Sequence, residues 1–195
     1  MSHHKFDPVR LFRLERPERH AQLRPGALLD VARVGPGMIV VDVGCGTGFF
    51  SMVAAERVGP TGRVIALDIA EAMLEFLRKR DPPPHVEVLR SEESALPVSS
   101  EVADVVVLGL VLHEAVDPPD FLGEVRRVLR PGGVVLCLEW KAQREERGPR
   151  LEDRVDVITA KSWFNEARFE DVATRDWTPS HYVLSAVRGA GNSEE

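Results

Sequence analysis

Apolar positions along this chain follow two different spacings. Mostly apolar runs, three of them holding one acidic residue, stand at 39–43, 64–67, 86–89, 103–109 and 134–138. Runs of that length read as strands buried on both faces of a sheet. Between them the spacing changes to a helical one. Ala70, Met73, Leu74 and Leu77 repeat at i, i+3, i+4 and i+7, and Phe121, Leu122, Val125, Val128 and Leu129 form a second such stripe. The pattern predicts strands at 39–43, 63–67, 86–89, 103–109, 133–139, 169–176 and 181–187. It predicts helices from 48 to the Gly59-Pro60 stop, from 70 to Asp81-Pro82-Pro83-Pro84, along the Phe121 stripe, and over 157–167 with Asp156 as N-cap. Leu28, Leu29, Val31 and Ala32 give an earlier helical side that ends at Gly35-Pro36-Gly37.

Alternating strands and helices imply an α/β fold, a doubly wound sheet with helices on both faces. Ligands of such sheets sit beyond the C-terminal strand ends, where the strand order reverses. The first strand runs into Asp42-Val43-Gly44-Cys45-Gly46-Thr47-Gly48-Phe49, a carboxylate and a glycine-rich turn opening into a helix. The glycines let backbone approach a ligand closely. A dinucleotide fingerprint requires G-x-G-x-x-G, and this loop is G-x-G-x-G with Phe49 next. Asp68 follows Gly48 by 20 positions, the spacing at which a carboxylate meets a ribose; the other reading is a cap for the helix that starts near Ala70.

Further segments extend the pattern in order: Ala66-Leu67-Asp68, Ser91-Glu92-Glu93-Ser94-Ala95-Leu96-Pro97, Asp104 to His113, and Leu129-Arg130-Pro131-Gly132-Gly133-Val134. Together with Asp42 to Gly48 they resemble the class I S-adenosylmethionine-dependent methyltransferases, specifically the type 11 group, over about residues 36–140. The resemblance implies a seven-stranded, mostly parallel Rossmann-like sheet of order 3-2-1-4-5-7-6 with the seventh strand antiparallel. It implies S-adenosylmethionine as cofactor and S-adenosylhomocysteine as product. Asp68 then takes the ribose hydroxyls, and Glu92 with Glu93 occupies the position facing the adenine amino group. Asp42 orients the glycine loop or the methionine ammonium, and Gly44, Cys45, Gly46 and Gly48 offer backbone to the methionine part. Ile69 and Met73 flank the adenine, although Met73 reads equally as helix core. Gly109 and Leu110 close the cleft at the end of the fourth strand. His113, just beyond that strand, is the candidate general base, since imidazole titrates near neutrality; a loop-bonding histidine is the competing reading. Glu114, Glu139 and Trp140 fall near the same rim.

The implied organisation is an N-terminal arm or lid with a helix at 1–35, a cofactor-binding methyltransferase domain at 36–188 and a frayed tail at 189–195. A formal charge of −6 over 195 residues disfavours nucleic acid as a partner. The basic stretches 10–24 and 141–154 carry interleaved acids and read as solvated faces. Asp117-Pro118-Pro119-Asp120 lacks the aromatic residue of a base-methylating motif and reads as a helix start. Cys45 and Cys137 read as free thiols, and the histidines lack metal-ligand spacing. No apolar run reaches the ~20 residues of a membrane span, and the first residues lack a secretory pattern, so the expected compartment is the cytoplasm. The expected acceptor is a small molecule methylated at oxygen, nitrogen or carbon. A cofactor-binding regulator without activity, an enzyme acting on a macromolecule, and a nicotinamide-dependent oxidoreductase are the other readings; the last is disfavoured because the one tyrosine, Tyr182, has no Tyr-x-x-x-Lys partner.

Overall fold

The computed structural model describes residues 17–190. The expectations for residues 1–16 and for 191–195 lie outside them. The elements run α1 (Pro17–Leu23), α2 (Pro25–Val31), β1 (Ile39–Val43), α3 (Phe49–Val58), β2 (Arg63–Asp68), α4 (Glu71–Lys79), β3 (Val86–Arg90) and β4 (Ala103–Gly109). They continue with α5 (Pro118–Val128), β5 (Leu129–Trp140), α6 (Val157–Glu166), β6 (Glu170–Asp176) and β7 (His181–Val187).

The strands form one sheet of order β3-β2-β1-β4-β5-β7-β6, as the resemblance implied. β1 pairs in parallel with β2 on one side and β4 on the other, so the chain reverses its direction of travel across the sheet between β1 and β4. β7 runs antiparallel to both β5 and β6. Alternation along the strands feeds two cores. Val41, Val43, Val106 and Leu108 pack on the face covered by α5 and α6, while Val40, Val105 and Val107 pack with α2 and α3 on the other. No helix among the described residues is long and apolar enough to cross a membrane.

Local chemistry sets the boundaries. Asp117 accepts the Asp120 N–H at 3.1 Å with Pro118 at the first helical position, which leaves the Asp-Pro-Pro-Asp stretch as a helix start. Asp156 accepts from the N–H groups of Ile158 and Thr159 and starts α6. β5 begins earlier than the apolar run, because Leu129 already pairs with Ala103 and the ladder resumes only at Val105–Val134. The Arg130–Gly133 stretch between them bulges out of register.

The end of α6 carries a cost. Arg168 follows the helix at φ +61°, the left-handed position that glycine usually fills, with its side chain exposed. Arg168→Gly is expected to stabilise the domain by about 1 kcal/mol and raise the melting temperature by roughly 2–4 °C. A melting temperature that falls, measured by calorimetry, would show that the arginine side chain outweighs the backbone strain.

Candidate functional site

Above the C-terminal ends of the strands lies a cavity of about 1320 Å³. It opens where the strand order reverses, the place an open α/β sheet keeps for ligands. Ligand pockets for one drug-sized molecule usually run to roughly 300–1,000 Å³, so this cavity holds room for a donor and an acceptor together.

One end is built from β1, β2 and β3. Gly44, Cys45 and Gly46 line it from the loop after β1. Gly44 sits at φ +70°, and a Cβ there would stand 2.6 Å from Val111 Cγ2, so the loop tolerates no side chain at that position. Asp68 ends β2 and faces the same loop. Its Oδ2 accepts the Gly46 N–H at 2.8 Å and its Oδ1 accepts the Ala70 N–H at 2.8 Å. Burial raises its pKa, with those backbone bonds working the other way. Asp68 thus braces the glycine turn and the start of α4 at once, and each oxygen retains a second lone pair. Ile69 and Met73 line the wall behind it. Glu92 stands exposed on the cavity rim, while Glu93 accepts the Val116 N–H and ties the loop after β3 to the loop before α5.

Asp42 and Gly48 are placed differently from the other sequence candidates, behind the lining rather than in it. Asp42 is fully buried on the α3 face, where Ser51 Oγ donates to its Oδ2 at 2.5 Å. Burial pushes its pKa up to about 6 against the Ser51 bond. Gly48, at φ +86°, turns the chain into α3. Both Asp42 Oδ1 and the hydroxyl of Thr47, which does line the cavity, are buried without a hydrogen-bond partner. A side-chain-free turn, a braced carboxylate and the unsatisfied Thr47 hydroxyl in the lining form an arrangement suited to a ligand carrying hydroxyl and ammonium groups, as S-adenosylmethionine does. Cys45 and Cys137 are buried free thiols whose pKa burial raises well above the usual value.

The other end is built from β4, β5 and β7. Gly109 and Leu110 line the floor, with Leu110 held at φ +64° by its N–H bond to the Leu138 carbonyl. His113 follows in a 3-10 turn, Leu112–Glu114. Its Nδ1 lies 2.9 Å from both carboxylate oxygens of Glu139, a fully buried residue near the end of β5. Glu139 also accepts the backbone N–H groups of His113 and Trp140. Burial alone would depress the His113 pKa; the charge and hydrogen bond of Glu139 outweigh it and hold the imidazole above its ordinary value. A carboxylate only accepts, so Nδ1 carries the proton and Nε2 keeps a lone pair.

Trp140 completes this end. Its ring packs against His181 at 4.1 Å between centroids, and both line the cavity. Burial lowers the His181 pKa to about 4, so that ring is neutral. Phe50 and Leu23 add apolar wall, the latter from the described part of the N-terminal arm. Sequence reading missed Thr47, Phe50 and His181. The hydroxyl inside the glycine turn was a signal for the first; His181 reaches the site only through its antiparallel pairing with Trp140. Among the described residues no His, Cys, Asp and Glu side chains cluster as a metal site.

Known proteins match this geometry. The sequence model of the type 11 methyltransferase domain matches residues 41–137. A demethylmenaquinone methyltransferase of Lactococcus lactis is 40% identical over 106 residues, which are 53% of this chain and 42% of that protein. One from Staphylococcus aureus is 35% identical over 123 residues, covering 63% and 51%. The chain spans about half the length of these curated relatives. A solved S-adenosylmethionine-dependent methyltransferase from Aquifex aeolicus superposes with a TM-score of 0.88 at 28% identity, covering 94% of this chain and 99% of that one. Sheet order, glycine turn and matched sequence agree: the chain belongs to the class I S-adenosylmethionine-dependent methyltransferases of the type 11 group.

Proposed function

We propose that this protein transfers a methyl group from S-adenosylmethionine to a small aromatic acceptor, the reduced, phenolic form of a quinone ring, with His113 removing the acceptor's proton. The observation that carries the reading is His113, which lines the same cavity as the glycine turn and is held from behind by Glu139 at 2.9 Å. The relatives named for demethylmenaquinone support the acceptor class.

S-adenosylmethionine supplies an already activated methyl group on a sulfonium. The glycine turn and Asp68 are assigned to its methionine and ribose parts, Glu92 and Ile69 to its adenine, and Asp42 to steadying the turn from behind. Fixing donor and acceptor in line supplies roughly 7–11 kcal/mol in favourable cases. The acceptor needs more than positioning. A quinone ring is electron-poor and does not attack an electrophilic methyl; its two-electron-reduced form does so once a phenolic proton leaves. His113 Nε2 takes that proton, and Glu139 stabilises the imidazolium formed. The ring carbon beside the phenolate forms the new C–C bond as the C–S bond breaks with its electrons going to sulfur. The hydrogen on that carbon then leaves as a proton and aromaticity returns. Trp140, Phe50 and Leu110 give a flat ring an apolar seat and keep water out.

The test incubates the full chain with methyl-deuterated S-adenosylmethionine and demethylmenaquinone reduced in place. One labelled methyl per product and one equivalent of S-adenosylhomocysteine are expected. No transfer to the reduced ring by protein that binds S-adenosylhomocysteine would sink the acceptor assignment, and transfer to RNA, DNA or protein in parallel reactions would replace it.

A further inference from the structure

After Trp140 the chain leaves the sheet and does not enter another helix until Val157. The intervening segment forms only a single 3-10 turn, Leu151–Asp153. Its backbone carbonyls therefore lack the partners that a helix or ladder would give, and buried ones must find others. Arg154 provides them. Its Nε donates to the Pro149 carbonyl at 3.0 Å, one terminal nitrogen donates to Lys141 at 3.1 Å and Gln143 at 2.8 Å, and the other donates to Arg147 at 2.7 Å. Four of the five guanidinium N–H donors are thus spent on the backbone of 141–149. The side chain is buried at 8% exposure, and its guanidinium carbon lies 5.1 Å from the centre of the Trp140 ring. Neighbouring Arg150 behaves differently: it is exposed and pairs with Glu152 and Asp153.

The gathered segment forms one wall of the cavity through Arg147, Gly148 and Pro149. Gly148, at φ +89°, lies against the Trp140 ring so closely that a Cβ would sit 2.9 Å from it. Trp140 is held from another side by His181. The glycine turn, Asp68 and Glu92 come instead from the ends of β1, β2 and β3, across β4 in the sheet.

We propose that Arg154 is the positioning residue of the acceptor end of the cavity: it clamps the 141–149 segment through four carbonyls and so fixes Trp140 and the wall against which the acceptor seats. The assignment of that end to the acceptor rests on the functional reading above; the clamp itself does not. A lysine cannot replace it, because three donors on one nitrogen do not span carbonyls as far apart in the segment as Lys141 and Arg147.

Two variants test this in the full chain. Arg154→Met keeps an apolar stem and removes every donor; Arg154→Lys keeps the charge and serves if the first folds poorly. In both, the KM for reduced demethylmenaquinone is expected to rise at least tenfold, with most of the loss of kcat/KM in KM. The dissociation constant for S-adenosylhomocysteine stays within about twofold of wild type. Amides of 141–149 exchange at least tenfold faster in deuterium, while those of 44–52 do not change. Unchanged exchange in 141–149 overturns the clamp, and so does an S-adenosylhomocysteine affinity that weakens as much as KM. If wild-type protein fails to methylate the reduced ring, the functional reading falls, and exchange with cofactor affinity still decides the clamp.

Discussion

His113→Gln is expected to lower kcat about 10²–10⁴-fold, the range for removing a general base, while leaving the S-adenosylhomocysteine dissociation constant within about twofold. The split follows from the placement of His113 on the far side of β4 from Asp68 and the glycine turn. The pH profile gives a second readout. The base must be neutral at Nε2, and Glu139 holds its pKa above 6.5. Wild-type kcat should therefore rise with pH through a value above 6.5. Glu139→Gln removes the charge that raises the pKa and leaves burial unopposed, so the rising limb moves to lower pH and its plateau falls. The same pair contributes stability that is complete below about 6.5 and fades as pH rises through the higher folded value. His113→Gln should flatten that slope in denaturant titrations. Full kcat in His113→Gln would reduce the residue to a pin for the loop after β4.

Much of this was legible because strand burial and helix periodicity are local signals. β4 was read at the bounds it has, 103–109, since the apolar run Val105–Leu108 lies between Asp104 and Gly109. α5 and α6 start where Asp117 and Asp156 predict, a capping carboxylate being a property of three or four adjacent residues. The strand order came with the resemblance and not from periodicity. What stayed hidden depends on partners remote in sequence. His113 and Glu139 were read at the same rim, but the bond between them spans 26 positions and neither neighbourhood announces it. His181 enters the site through an antiparallel register, and its neighbours on β7 read as plain core. Asp42 reads from sequence as orienting either the glycine loop or the methionine ammonium, and its bond to Ser51 on α3 depends on which face of β1 the side chain takes.

The chain's preference for arginine over lysine is the least legible feature and acquires a use in the structure. Arg127 donates to the carbonyls of Leu96 and Val98, and Arg188 to those of Arg126, Arg127 and Leu129. Arg154 follows the same pattern at the cavity. These guanidiniums satisfy backbone within loops and at the junction of α5 with β5, a geometric task suited to a planar fork of donors and poorly suited to an ammonium. The sequence holds more arginine than lysine, and composition alone does not say what those guanidiniums bind.

Asp68→Ala is expected to weaken S-adenosylhomocysteine binding ten- to a hundredfold, roughly 1.5–3 kcal/mol for loss of a charge-assisted bond to ribose. The structure adds a second consequence. Asp68 accepts the N–H groups of Gly46 and Ala70, so alanine leaves both without that acceptor and frees the glycine turn from the start of α4. Stability should fall as well, by about 1–3 kcal/mol. The two effects are separable. Asp68→Asn retains a carbonyl oxygen that accepts one of the two N–H bonds but lacks the charge and the second acceptor. It should recover much of the melting temperature lost in Asp68→Ala and little of the affinity, if ribose is what the carboxylate holds. Calorimetry on both variants decides between the roles. An affinity equal to wild type in Asp68→Ala, alongside a lowered melting temperature, would leave Asp68 as a brace between the turn and the helix. The ribose would then need another partner, and the exposed Glu92 on the rim after β3 is the carboxylate placed to supply it.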